Sequence, residues 1–330
     1  MTRQSTMRAA VLETHNAPPR LSSISVPKIG PREVLVKVRA SGVNPLDTKI
    51  HAGAAAHARH PLPAILGLDL AGVVEQTGRA VTRFKPGDEV YGTTGGVGGV
   101  PGSLAEFAAV DADLLAMKPA NLSMREAAAL PLIFITAWEG LIDRASLKAG
   151  QKVLIHGGAG GVGHVAIQIA RAFGANVFAT GSGAQRATIE ALGAVFIDRD
   201  TALETYVAEH TGGRGFDIVY DTVGGKVLDA SFAAVRRFGH VVSALGWGTH
   251  ALAPLSFLAA SYSGVFTLLP LLTGEGRAHH GEIMNEATRL VEAGKLAPML
   301  DARRFTLENV DDAYALIRDH AAKGKLVVDV

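Results

Sequence analysis

The stretch HGGAGGVGHV, residues 156–165, places five glycines in ten positions and constrains the fold more than any other feature of the chain. KVLIH leads into it as an apolar run of strand character. VGHVAIQIARAFG follows, with Val162, Ala166, Ile169 and Phe173 at helical spacing and Gly174 as a C-terminal stop. Gly158, Gly160 and Gly163 fit GxGxxG. A buried strand, glycines that let backbone N–H groups approach a pyrophosphate, and a helix N-terminus with positive partial charge make a dinucleotide cradle. A second run, GTTGGVGGVPG at 92–102, lacks the helix: it contains Pro101 and leads into SLAEFAAV, which alternates like a strand. It is predicted to be a loop between strands. The phosphates are therefore assigned to Gly158, Ala159, Gly160, Gly161, Val162 and Gly163.

The surroundings extend the pattern. KVLIHG, NVFATG, AVFID, FDIVYD and HVVSALG read as buried parallel strands, most of them separated by helical stretches, which predicts a doubly wound sheet. From Met7 to about Val110 the chain instead shows short strands with turn punctuation every eight to twelve residues, the mark of an antiparallel, barrel-like unit. Ser123 and Glu126 have the spacing of a capping box at the start of SMREAAALPLIFITAWEGLI. A helix is expected near 281–294, and the terminal KLVVDV, a strand with no partner in the middle segment, is expected to return to the first domain. At 330 residues two domains are the default. The expected division is 1–124 with 270–330 against 125–269, and residues 1–6 are expected to be a loose tail.

The strand after the cradle selects the nucleotide. NAD-binding sites of this kind place an acid about 20 residues on, where it accepts the ribose 2′-OH. Here FATGSGAQR supplies Gly181, Ser182 and Arg186 instead, with Arg199 as a further candidate. Hydroxyl and guanidinium donors favour a 2′-phosphate that a carboxylate would repel. The cofactor is expected to be NADP(H).

Other classes are disfavoured. Lys plus Arg number 32 against 31 Asp plus Glu, and aromatics make up 6%, so no electrostatic footprint for nucleic acid or an anionic membrane is present. There is no cysteine, which removes disulfides, thiolate nucleophiles and Cys-ligated zinc. His57-x-x-His60 with His51 nearby has no local carboxylate to complete a metal set. The N-terminal segment has no apolar core of a signal peptide and no run reaches membrane-spanning length, so a cytoplasmic location is expected.

SGVNPLDTKIHAG, GLDLAGVVEQTGRAVTRFKPGDEVYG, GSLAEF, AAALPLIFITAWEGL and VLIHGGAGGVGHVAIQIARAFGANV together resemble the medium-chain dehydrogenase/reductase superfamily along nearly the whole chain. The resemblance is to its zinc-free quinone oxidoreductase and enone reductase branch (zeta-crystallin-like). It implies an α/β fold with a GroES-like split β-barrel catalytic domain plus a Rossmann doubly wound parallel sheet, NADPH as cofactor, a small-molecule quinone or enone as substrate, and a homodimer. Zinc-dependent alcohol dehydrogenases of the superfamily have a Cys where this chain has Asn44 and a His-Glu pair where it has Leu68-Asp69. Without a Lewis acid to stabilise an alkoxide, reduction of an already electron-poor quinone or activated alkene is the natural chemistry. A carbonyl or alcohol dehydrogenase, and a non-catalytic, crystallin-like NADPH-binding protein, are the alternatives.

The resemblance also implies roles. Asn44, in NPLD, falls where the family places residues beside the nicotinamide, so it orients substrate or cofactor or else satisfies a turn before Pro45. Asp47 is expected to bond loop backbone. Lys49 stands where several quinone reductases have Tyr and enone reductases have Lys; the competing reading is a solvated charge. Ala55 replaces a second such Tyr. Thr136 resembles the family Thr near the nicotinamide, and Tyr91 is expected to be a packed barrel residue. At the strand ends, Asp221 is expected to organise a loop while Ala244, Leu245 and Gly246 offer backbone to the cofactor. GVFTLL, 264–269, is expected to line the carboxamide or to pair across a dimer. No residue declares itself a general acid, which leaves water as the proton source.

Overall fold

The computed structural model describes residues 5–330. The chain forms two compact units, one running to Leu132 and completed by Leu268–Ala293 and Pro298–Val330, the other comprising Ile133–Thr267 with Gly294–Ala297.

The second unit is built on a six-stranded sheet in the order Val195–Asp198, Asn176–Gly181, Lys152–His156, Phe216–Asp221, Val235–Ser243, Ser261–Gly264. All five pairings are parallel. The chain starts at the centre, moves outward through two strands, then returns to the other side of Lys152–His156, so the order reverses between Lys152–His156 and Phe216–Asp221. That is the expected doubly wound topology, whose ligand position lies outside the strand ends at the reversal. Register aligns those ends: Asp221 stands opposite both His156 and Ser243, and Ser243 opposite Gly264. Buried Val, Ile and Leu fill the strands because both faces are covered. The core is centred on Leu154, Phe178, Phe216, Val219 and Phe232, with Phe178 and Phe216 edge-to-face at 5.3 Å.

The first unit has a seven-stranded sheet centred on Glu33–Gly42, which pairs antiparallel with Asp69–Thr77, Phe107–Asp111 and the C-terminal Val327–Asp329. A three-stranded sheet joins Arg20–Ser25, Thr6–Leu12 and Ala64–Ile65. The terminal strand thus does return to the first unit, setting Val327 against Gly42 and Val328 against Ser41.

Several local expectations are corrected. Residues 1–4 lie outside the described residues, and the rest of the expected tail is not loose: Thr6 pairs with Ser25 in a strand. SMREAAALPLIFITAW, where only a helix start was expected, forms two helices, Met124–Ala128 and Pro131–Trp138, because proline has no N–H to continue the first helix and starts the second. The capping box is present, with the Ser123 N–H donating to Glu126 Oε2 at 2.8 Å. The later helix begins earlier than expected, spanning Arg277–Glu292. The edge strand of the parallel sheet is Ser261–Gly264 rather than GVFTLL.

Candidate functional site

The glycine turn behaves as its spacing predicts. Gly160 caps the helix Gly161–Ala172, and the Gly160 N–H donates to the Gly157 carbonyl at 2.9 Å. A Cβ on Gly158 would stand 2.7 Å from Ala179 Cβ, and one on Gly163 would overlap the Gly157 carbonyl oxygen. The turn therefore brings helix and sheet together only with hydrogen at both places, leaving the helix's first N–H groups without helical acceptors. These residues fit a dinucleotide pyrophosphate. Ala159 and Val162 are half-buried beside the exposed Gly160 and Gly161.

Beneath the turn, Thr180 Oγ1 meets both the Gly157 N–H at 3.2 Å and His156 Nδ1 at 3.1 Å. Burial holds the His156 imidazole neutral, lowering its pKa to about 4 against the opposing pull of Asp221. Asp221 is fully buried and organises its loop: Oδ1 accepts from the N–H groups of Val223 and Gly224 at 3.0 and 2.9 Å, and Oδ2 from Ser243 Oγ at 2.7 Å. Ser243 Oγ in turn accepts the Leu245 N–H at 3.0 Å, and the Ala244 N–H reaches the Asp221 carbonyl at 3.1 Å. Ala244 and Leu245 are half-buried and Gly246 is exposed. Thr136 is buried, and its carbonyl accepts the Tyr220 hydroxyl at 2.6 Å.

At the end of Asn176–Gly181, the half-buried Ser182 donates its N–H to Gln185 Oε1 at 2.9 Å. Arg186 is exposed, with its guanidinium 4.2 Å from the centre of the Phe196 ring and 3.3 Å from Glu190. The Arg199 N–H donates to the Gly181 carbonyl at 2.9 Å, which brings that exposed arginine's backbone to the same strand end. Sequence reading missed Asp198: a Cβ on Gly183 would lie 3.7 Å from its carboxylate. The acid reaches this loop from the following strand, where the search for one after Gly181 does not look.

In the first unit a buried polar network surrounds Asn44, which is 1% exposed. Pro45 opens the helix Pro45–His51, and the Asn44 N–H donates to Asp47 Oδ2 at 2.7 Å. Asp47 Oδ1 also accepts the Gly67 N–H at 3.3 Å, so this acid bonds loop backbone. Asn44 Nδ2 donates to Asp69 Oδ2 at 2.9 Å, while Asp69 Oδ1 accepts the Leu132 N–H at 2.9 Å. Lys325, 6% exposed, completes the set: Nζ donates to Asn44 Oδ1 at 2.6 Å and the Val43 carbonyl at 2.9 Å, and lies 3.7 Å from Asp69 Oδ2. Burial raises the Asp69 carboxyl and lowers the Lys325 ammonium, each opposed by the other's charge. Sequence reading missed Lys325 altogether. Lys49 lies outside this network, exposed on the Pro45–His51 helix, and Tyr91 is packed, its hydroxyl donating to the Met284 carbonyl at 3.0 Å.

Burial also lifts the Asp47 carboxyl to about 7, aided by Asp69 and opposed by its hydrogen bond from Asn44. A raised folded-state value means the folded chain keeps a proton that the unfolded chain has already released. Stability from this group is therefore lost as pH rises from the ordinary carboxylate range through about 7. Thermal denaturation between pH 5 and 8 is expected to show a steeper fall of Tm in the native protein than in Asp47→Asn, which cannot titrate. Parallel slopes refute this.

Residues 30–120 match the alcohol dehydrogenase GroES-like domain, and residues 192–328 match the zinc-binding dehydrogenase family. The 2-methylene-furan-3-one reductase of Solanum lycopersicum is 37% identical over 316 residues, 93% of this chain and 74% of the relative. The chain belongs to the medium-chain dehydrogenase/reductase superfamily, in its zinc-free enone reductase branch. Another member, the chloroplastic NADPH-dependent alkenal/one oxidoreductase of Arabidopsis thaliana, is 35% identical over the same shares. A crystal structure of an alcohol dehydrogenase superfamily protein from Novosphingobium aromaticivorans is 59% identical, covering 98% of this chain and 100% of that one with a TM-score of 0.97. This superfamily member is an oxidoreductase. Positions 44, 68 and 69 are Asn, Leu and Asp, and among the described residues no three His, Asp or Glu side chains converge as a metal set.

Proposed function

We propose that this reductase of the medium-chain superfamily reduces α,β-unsaturated carbonyls, or quinones, with NADPH. The observation that carries the reading is a fitted dinucleotide turn in a chain whose positions 44, 68 and 69 are Asn, Leu and Asp and which has no cysteine. Two reductases that are similar over 93% of the chain bear enone-type names, and one is named NADPH-dependent, which supports it. Bound in the turn of Gly158 to Gly163, NADPH would supply the hydride chemistry that an electron-poor alkene or quinone needs, and water would supply the proton.

The residues divide the work. Gly158 to Gly163 hold the pyrophosphate with backbone N–H groups, and Ser182 with Arg186 receive the 2′-phosphate. Thr136 and the Asp221-ordered backbone of Ala244, Leu245 and Gly246 receive the nicotinamide end. Asn44 orients substrate or cofactor, and Lys49 at the exposed face favours an enone. The homodimer and a cytoplasmic location belong to the same proposal; Ser261–Gly264 is a free sheet edge for pairing, and among the described residues no helix is long and apolar enough to cross a membrane.

NADPH consumption in the presence of enones and quinones, but not simple aldehydes or alcohols, and unchanged after dialysis against a chelator, is the expected result. Turnover confined to alcohols or aldehydes, or activity that zinc restores, sinks it. Because Asp198 stands beside Gly183, the choice of nucleotide needs its own measurement. Arg186→Ala should weaken NADPH by about 1.5–3 kcal/mol, the worth of a charged hydrogen bond, and leave NADH nearly unchanged. Equal losses for both nucleotides overturn the assignment.

A further inference from the structure

Asn44 is gripped at both ends of its amide, by Lys325 Nζ on the oxygen at 2.6 Å and by Asp69 Oδ2 on the nitrogen at 2.9 Å. An ammonium offers only protons and a carboxylate only lone pairs, so these two contacts admit one orientation of the amide and forbid its flip. Asp69 engages one proton of Nδ2, which leaves the second free for another acceptor. Lys325 has three protons facing three oxygens, those of Asn44, Val43 and Asp69. Taking this ammonium out of water costs several kcal/mol, and an apolar residue of like size would fill the space without that cost. The terminal strand delivers it: with Val327 paired to Gly42 and the Val43 N–H donating to the Leu326 carbonyl at 2.9 Å, position 325 falls beside Asn44.

We infer that Lys325 is a positioning residue, which together with Asp69 locks the Asn44 side chain in the one orientation used in the reaction. The inference rests on the proposed role of Asn44; the substrate's identity enters only through the choice of assay.

The test is Lys325→Met combined with Asp69→Asn, which removes both charges and leaves neither one buried alone. The double variant is expected to keep a near-native Tm and to bind NADPH within about threefold of the native protein by fluorescence titration. Its kcat should fall about tenfold or more, the scale on which misplacing a group near the chemistry acts. Protein labelled with 15N at asparagine supplies a readout without turnover: the Asn44 side-chain amide should exchange with solvent slowly in the native protein and much faster in the variant. A folded variant with native kcat, or a fall in kcat with the Asn44 amide still protected, overturns the inference. So does a freely exchanging Asn44 amide in the native protein, a result that stands whether or not the variant folds. Failure of the native enzyme to reduce any enone or quinone refutes the proposed function instead, and the comparison is then made on the substrate it does use.

Discussion

Gly163→Val is expected to raise the Kd for NADPH by about 100-fold or more, equivalent to losing two phosphate hydrogen bonds of charged type. The added Cβ would overlap the Gly157 carbonyl oxygen and stand 2.9 Å from Gly158 Cα. Both are backbone atoms, and backbone cannot swing aside as a long side chain can. The helix Gly161–Ala172 must then retreat from the turn, carrying its first N–H groups away from the place where a pyrophosphate would meet them. Overpacking of this kind also costs roughly 1–3 kcal/mol of stability, so Tm should fall in parallel. Fluorescence titration with NADPH decides the matter. A variant that binds within threefold of the native protein would remove the phosphate from this turn.

Asp69→Ala should be among the most destabilising single changes in the first unit, costing roughly 3–5 kcal/mol, because it strands a buried ammonium without its counter-charge. The Leu132 N–H and Asn44 Nδ2 lose their acceptors in the same step. At a few degrees per kcal/mol, Tm should drop by roughly 10 °C. Adding Lys325→Met to this variant should return much of the loss, since no buried charge then remains alone. A calorimetric scan showing a native Tm for Asp69→Ala would mean that Lys325 is neutral or hydrated and that the network is not what holds this corner together.

The glycine turn and the Asn44 network differed in how plainly they could be read. Strand, glycines and helix follow one another within about 25 residues, so periodicity and turn chemistry are visible together at 152–174. Asp221 was readable for the same reason, as an acid at the end of a strand. Lys325 was not. In KGKLVVDV nothing local separates it from an ordinary surface lysine, and its meaning arises only when strand pairing sets it beside a residue 281 positions away. Asp198 was overlooked because the acid was sought at the end of Asn176–Gly181 itself, whereas parallel pairing sets the end of the next strand, Asp198, opposite Gly181. The break between Met124–Ala128 and Pro131–Trp138 was legible in principle, since Pro131 marks it.

The split assembly of the first unit has a consequence for how the protein acquires its shape. All strands of the nucleotide-binding sheet lie between Lys152 and Gly264, so that unit can collapse on its own short-range contacts. In the other unit Phe107–Asp111 covers the Glu33–Lys37 part of one flank, but the Ala40–Gly42 end of that strand stays unpaired until Val327–Asp329 arrives. During that interval this short unpaired border exposes backbone groups to which another strand could add.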